Sequence, residues 1–253
     1  MHALASVDDI AAFLDRLLDA PRYEAAEPDS NRLLYRAGAG VSKVAVAVNV
    51  SLTTIFGAAK AGCQLLVTHH PPWEAVDLHL REEKMQALEA AQVSLYAAHS
   101  SLDCAPEIGN GWELARLLGV TVEGTFLDYN GGHAGVYGRC DASFADLIQR
   151  TQAQLGVQVE AHEHATSFGK VALVPGGGGM THDLKQALDL GADTYVTGEG
   201  GMFTRMFARE TGMNLILATH YATEAPGIKA LGQRISDDAQ VPWEFIAESP
   251  DVF

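Results

Sequence analysis

Two stretches of this 253-residue chain repeat one another. AAKAGCQLLVTHH at 58–70 aligns with ALDLGADTYVTGE at 187–199, and SLYAAHSSLD at 94–103 aligns with NLILATHYATE at 214–224 with one gap. Each copy holds the end of a helix, a glycine and a short apolar strand. Any two βα units share that pattern, because a strand covered on both faces must be apolar throughout. The matched polar residues are the stronger sign. His99 and Asp103 fall on His220 and Glu224, a His-x-x-x-carboxylate at the C-terminal end of each strand. An internal duplication is expected, with two α/β halves facing each other across a pseudo-twofold axis. Halves with different strand orders would refute it.

The rest of the chain alternates in the same way. Short Val- and Leu-rich runs at 43–49, 64–68, 94–98, 170–174, 193–197 and 214–218 predict strands. Helical periodicity marks 8–18, 53–61, 82–91, 108–118, 183–190, 203–210 and 228–235. The polar stretch 22–30 reads as loop. Strand–helix alternation of this kind defines an α/β fold with mostly parallel sheets.

Charge and composition narrow the function. The chain is 47% hydrophobic and carries 17 Lys+Arg against 32 Asp+Glu, a net charge of −15 that would repel nucleic-acid phosphates. Apolar runs such as 44–50 fall far short of the ~20 residues of a membrane span. Residues 1–9 lack a basic patch followed by an apolar core, so no secretory signal is expected. Cysteines at 63, 104 and 140 form no CxxC pair. They fit a reducing cytoplasm and small buried side chains. The expected partner is a small-molecule substrate, without nucleic acid or membrane.

In open α/β sheets ligands gather at the carboxyl ends of strands. His69 and His70 stand there, as do His99 with Asp103 and His220 with Glu224. Histidine and carboxylate suit Zn, Fe, Mn or Co. Adjacent histidines on extended backbone diverge, so they serve two ions more readily than one if a carboxylate bridges. Such a pair lowers the pKa of a bridging water and supplies hydroxide. The plain alternative makes Asp103 or Glu224 a helix N-cap favoured by the dipole. Gly176–Gly179 is either an anion cradle or a turn permitting close packing. Residues 162–164, His-Glu-His, read as an exposed loop, and Arg205 and Arg209 either meet a phosphate or solvate a helix face. No Gly-x-Ser-x-Gly elbow occurs.

Three segments taken together resemble one family: Val67-Thr68-His69-His70-Pro71-Pro72-Trp73, then Ala98-His99-Ser100-Ser101-Leu102-Asp103, then Thr219-His220-Tyr221-Ala222-Thr223-Glu224. They resemble the signatures of the Nif-three-like dinuclear-metal family, also labelled type 2 GTP cyclohydrolase I. The resemblance implies two intertwined, duplicated α/β halves with mixed, mostly parallel sheets, taken as 1–128 and 129–253, with two divalent metal ions between them. His70 and Asp103 would hold one ion, His69 and His220 the other, and Glu224 would bridge both. His99 would lie close by, as a weak ligand or a neighbour of the ligands. Glu224 and His99 are the expected catalytic residues. A ring-shaped homohexamer is also implied. The chain departs from the family pattern at 31–34, at Asn49, where Asp is usual, and at Thr219, where Gly is usual. One implied function is a metal-dependent hydrolase acting on a guanine nucleotide or related heterocycle. Another is a non-catalytic metal carrier or scaffold for cofactor assembly.

Overall fold

In the first sheet, Val44 through Val48 are consecutively buried, which requires cover on both faces and a central place. The computed structural model describes residues 5–248. From the N-terminus, a two-residue strand β1 (Ala5–Ser6) leads into α1 (Val7–Leu17), where Ser6 Oγ accepts the Asp9 amide proton at 3.0 Å. Next come α2 (Ala20–Ala26), β2 (Asn31–Tyr35), β3 (Gly40–Val41), β4 (Val44–Asn49), α3 (Leu52–Lys60), β5 (Leu65–His70), α4 (Glu74–Asp77), α5 (Leu80–Ala91), β6 (Ser94–Ala98) and α6 (Ser100–Asp103). Helix α2 occupies part of the stretch expected as loop. Pro21 lies in its first turn, where a missing N–H costs nothing, and Tyr23 is buried.

Then follow α7 (Asn110–Leu118), β7 (Thr121–Tyr129), β8 (Gly132–Arg139), α8 (Phe144–Leu155), β9 (Glu160–His162), β10 (Lys170–Val174), α9 (Thr181–Asp189), β11 (Thr194–Thr197), α10 (Met202–Thr211) and β12 (Asn214–Leu217). The chain closes with α11 (His220–Ala239) and β13 (Trp243–Phe245). Helix α11 starts eight residues earlier than periodicity predicted and carries Pro226 inside it. Residues 160–162, partly expected as loop, are strand because they pair with Leu215–Leu217 of β12.

Two compact units result. One takes the chain up to Ala105 and again from Ile228, and the other spans Pro106–Gly227. The division expected at 128/129 falls inside β7. That strand forms an antiparallel hairpin with β8, and β8 pairs with β10, so all three belong to the second unit.

The first unit's sheet has the order β13-β4-β5-β6-β2, parallel except for β2 at the edge. The second has the order β7-β8-β10-β11-β12-β9, with β10, β11 and β12 parallel and antiparallel partners on both flanks. The protein is a mixed α/β fold with mixed sheets. Both sheets hold three consecutive parallel strands in sequence order, followed by one antiparallel strand. Beyond these four strands the orders differ: β13 is parallel to β4, whereas β8 is antiparallel to β10.

Helices cover the second sheet on both faces, and side-chain alternation sorts the layers. Val171, Leu173, Val196 and Ile216 pack with Leu114, Leu118 and Leu147. Ala172, Val174, Tyr195 and Leu215 pack with Leu184, Ala187 and Ala208. In the first unit Ala45, Ala47, Leu66 and Leu95 pack with Ile55, Ala58 and Leu88. Each fully buried Leu or Ile contributes roughly 1.5–3 kcal/mol. The three cysteines are buried and reduced. No described helix is long and apolar enough to cross a membrane.

Candidate metal centre

Strand β5 runs through both adjacent histidines before Pro71 and Pro72. His69 is fully buried, and its Nδ1 lies 2.8 Å from the Ala98 carbonyl oxygen at the end of β6. His70 stands opposite Asn49 in the β4–β5 register, with Nδ1 2.6 Å from Asn49 Oδ1. His99 follows β6 directly, and its Nδ1 lies 2.9 and 2.8 Å from the two oxygens of Glu27. An oxygen in each position accepts a hydrogen bond, so Nδ1 carries the hydrogen and Nε2 the lone pair. One nitrogen from each of the three rings lies within 4.8 Å of the others. Asp103 Oδ1 is 3.5 Å from His69 Nε2.

The surroundings hold these rings in place. Glu27, the last residue of the α2 turn, also accepts from Ser100 Oγ at 2.9 Å. Burial alone would raise its pKa, but the bonds from His99, Ser100 and Asn31 hold it below the ordinary value. Trp73 donates its Nε1–H to Ser30 Oγ and sets its ring edge-on to His99, with centroids 4.7 Å apart.

The second unit holds a His-carboxylate pair of its own. His220 opens α11, and Glu224 follows one turn later on the same helix face. His220 Nδ1 lies 2.9 Å from Glu199 Oε1, and its Nε2 lies 2.9 Å from Glu224 Oε1. Burial would lower the His220 pKa, yet the carboxylates of Glu224 and Glu199 raise it to about 9. Glu224 is only 3% exposed.

Glycines make room for this pair. Gly176 has φ +67°; a Cβ there would run into Glu224 Oε1 and stand 3.0 Å from His220 Nε2. A Cβ at Gly198 would approach His220 Cα to 2.7 Å. The Gly176 amide donates to Thr223 Oγ1 and the Gly179 amide to the Gly177 carbonyl. Those amides are spent within the fold, which favours close packing over an anion cradle.

A cleft of about 680 Å³ in this unit is lined by Gly177, Gly179, Met180, Glu199, Arg205 and Thr219 among others. Arg205 grips Glu160 with Nε and Nη2 at 2.5 and 2.6 Å, and Nη1 donates to the carbonyls of Gly200 and Gly201. Its charge is matched within the protein by Glu160.

Imidazole Nε2 atoms and carboxylates form the donor set of borderline divalent metals. Histidines whose other nitrogen is held by an oxygen acceptor match how such rings are oriented for coordination. Sequence reasoning found the ring-bearing residues and missed their supports. Glu27 lay in a presumed loop, and Asn49 was marked only as a departure from the family pattern, with no role beside His70.

The Duf34/NIF3 (NGG1p interacting factor 3) family profile matches residues 5–251. A relative from Deinococcus radiodurans, named GTP cyclohydrolase 1 type 2 homolog, is 32% identical, with 94% of this chain and 92% of that protein aligned. A Halobacterium salinarum protein of the same name is 35% identical over 82% of this chain and 84% of its own. The solved structure of ybgI, a protein described as of unknown function, superposes with a TM-score of 0.85 at 25% identity, covering 97% of this chain and 99% of that one. The chain belongs to the DUF34/NIF3 family.

Proposed function

We propose that His69, His70, Asp103, His220 and Glu224 hold two divalent metal ions, with Glu224 bridging, and that the protein is a metal-dependent hydrolase. The observation that carries this reading is the Nδ1–oxygen bond made by every histidine of the set. The 3.5 Å separation of His69 Nε2 and Asp103 Oδ1 favours placing these two on one ion, leaving His70 and His220 for the other. That exchanges the partners the resemblance implied. When bound, two such ions supply a hydroxide nucleophile near neutral pH and stabilise developing negative charge. His99, oriented by Glu27, stands beside the ligands as the residue that passes a proton. Zn, Fe, Mn and Co all suit the donors.

The relatives' names suggest a guanine nucleotide or related heterocycle. With Arg205 committed to Glu160, the cleft offers acceptors such as Glu199, which suit the donor edge of an amino-substituted ring better than a triphosphate. The exposed Met202, Phe203 and Met206 on α10 support burial of that face in a homohexamer, whose mass would be six times 27.0 kDa.

Elemental analysis of untagged protein beside Glu224→Ala tests the centre. About two metals per chain are expected, falling to one or none in the variant. Protein that stays empty after incubation with Zn, Mn and Fe(II) would overturn the reading. Release of metal to a chelator within minutes, with no hydrolysis of heterocyclic substrates, would favour the carrier instead.

A further inference from the structure

The histidines of the proposed centre rest on chemically different acceptors. His99 and His220 donate to carboxylates, and His69 to a backbone carbonyl. His70 donates to a side-chain amide, Asn49 Oδ1, at 2.6 Å. The orientation of that amide is fixed from behind, because Asn49 Nδ2 donates to the carboxylate of Glu248 in a short contact. Turning the amide over would set an N–H against the Nδ1–H of His70 and an oxygen against a carboxylate.

Glu248 reaches this position through the sheet. Strand β13 pairs in parallel with β4, with Phe245 beside Val46, and the Ile246 amide donates to the Val46 carbonyl at 2.9 Å. Three residues past Phe245 the chain has advanced alongside β4 to its end, where Asn49 stands. Glu248 is only 9% exposed. A buried carboxylate is costly unless its hydrogen bonds are made; Glu248 accepts from Ser51, feels the charge of Lys84, and accepts from the amide that orients His70.

We propose that Asn49 and Glu248 are positioning residues, a relay that carries the negative charge of Glu248 through the Asn49 amide to His70 Nδ1–H and so aims His70 Nε2 and sets its strength as a ligand. The polarisation is directional. A carboxylate accepting from Nδ2 makes Oδ1 a stronger acceptor, which in turn makes Nε2 a better donor to a metal. The relay rests on the reading of His70 as a ligand.

The test uses zinc alone, titrated into chelator-treated full-length protein, with thermal unfolding of the metal-free form read alongside. His70→Ala first identifies which of the two binding steps depends on His70. Glu248→Gln keeps the shape and removes the charge. It is expected to weaken that step about tenfold, the lower end for a partner behind a metal-binding histidine, and to leave the other step unchanged. The exchange Asn49→Asp with Glu248→Gln keeps both hydrogen bonds and moves the charge one residue closer. That double variant is expected to bind at least as tightly as wild type at the same step. Equal zinc affinity in wild type and Glu248→Gln would overturn the relay while leaving the dinuclear reading intact. A drop in metal-free stability without a change in affinity would overturn it too, making Glu248 a pin for the C-terminal strand. If wild type takes up no zinc, the reading of the centre fails and the relay with it.

Discussion

His220 shows how one side chain is set between competing demands. Burial disfavours its charge, but carboxylates on both ring nitrogens raise its pKa to about 9 from the ordinary 6.5. In metal-free protein the folded value lies above the unfolded one. The resulting stabilisation is therefore complete below pH 6.5 and is lost as pH rises through 9. Histidine titration by NMR of the chelated protein should give a midpoint near 9, moving down in Glu224→Gln; a midpoint near 6.5 in wild type would refute the pairing. A metal on Nε2 must displace that proton. Zinc binding at pH 7.5 should thus release it, measured as a dependence of the calorimetric heat on buffer ionisation. The proposed ligand residues stood out in sequence because histidines and carboxylates are conspicuous at strand ends. Their supports were not. Glu27 and Glu248 are ordinary glutamates until α2 and β13 bring them to His99 and Asn49, and those placements depend on pairing between residues distant in sequence.

At the scale of elements, helix α11 begins under strain. Thr219 adopts φ +64°, a region that β-branched residues rarely occupy. In return its Oγ1 accepts the Ala222 amide proton at 3.3 Å, a cap that glycine lacks. The left-handed backbone costs roughly 1–2 kcal/mol, whereas a cap exchanged for glycine costs only a few tenths. Thr219→Gly should accordingly stabilise the metal-free protein by about 1 kcal/mol, read as a rise of roughly 2–4 °C in Tm; a fall would show the cap to dominate. Gly176 is the opposite case. Gly176→Ala combines a left-handed backbone with a collision at Glu224, so it should lose zinc binding and lower the Tm. The buried strands were readable because a run such as VAVAV tolerates only a covered position. The β7–β8 hairpin was not: its residues alternate between exposed and half-buried, and Gly124, Gly132, Gly135 and Gly138 interrupt it.

At the scale of the molecule, the same order of three parallel strands occurs in both units, and each contributes a histidine followed four residues later by a carboxylate. The first unit holds His69, His70, His99 and Asp103; the segment Pro106–Gly227 holds His220 and Glu224. An ion bound only by the folded protein stabilises it at the expense of the unfolded form. At a free concentration about 100 times the Kd, that linkage is worth about 2.7 kcal/mol per ion. Scanning calorimetry should show zinc raising the Tm of the chelated protein, and Glu224→Ala should reduce or abolish that shift while keeping the metal-free profile. An unchanged Tm in saturating zinc would overturn the proposed centre.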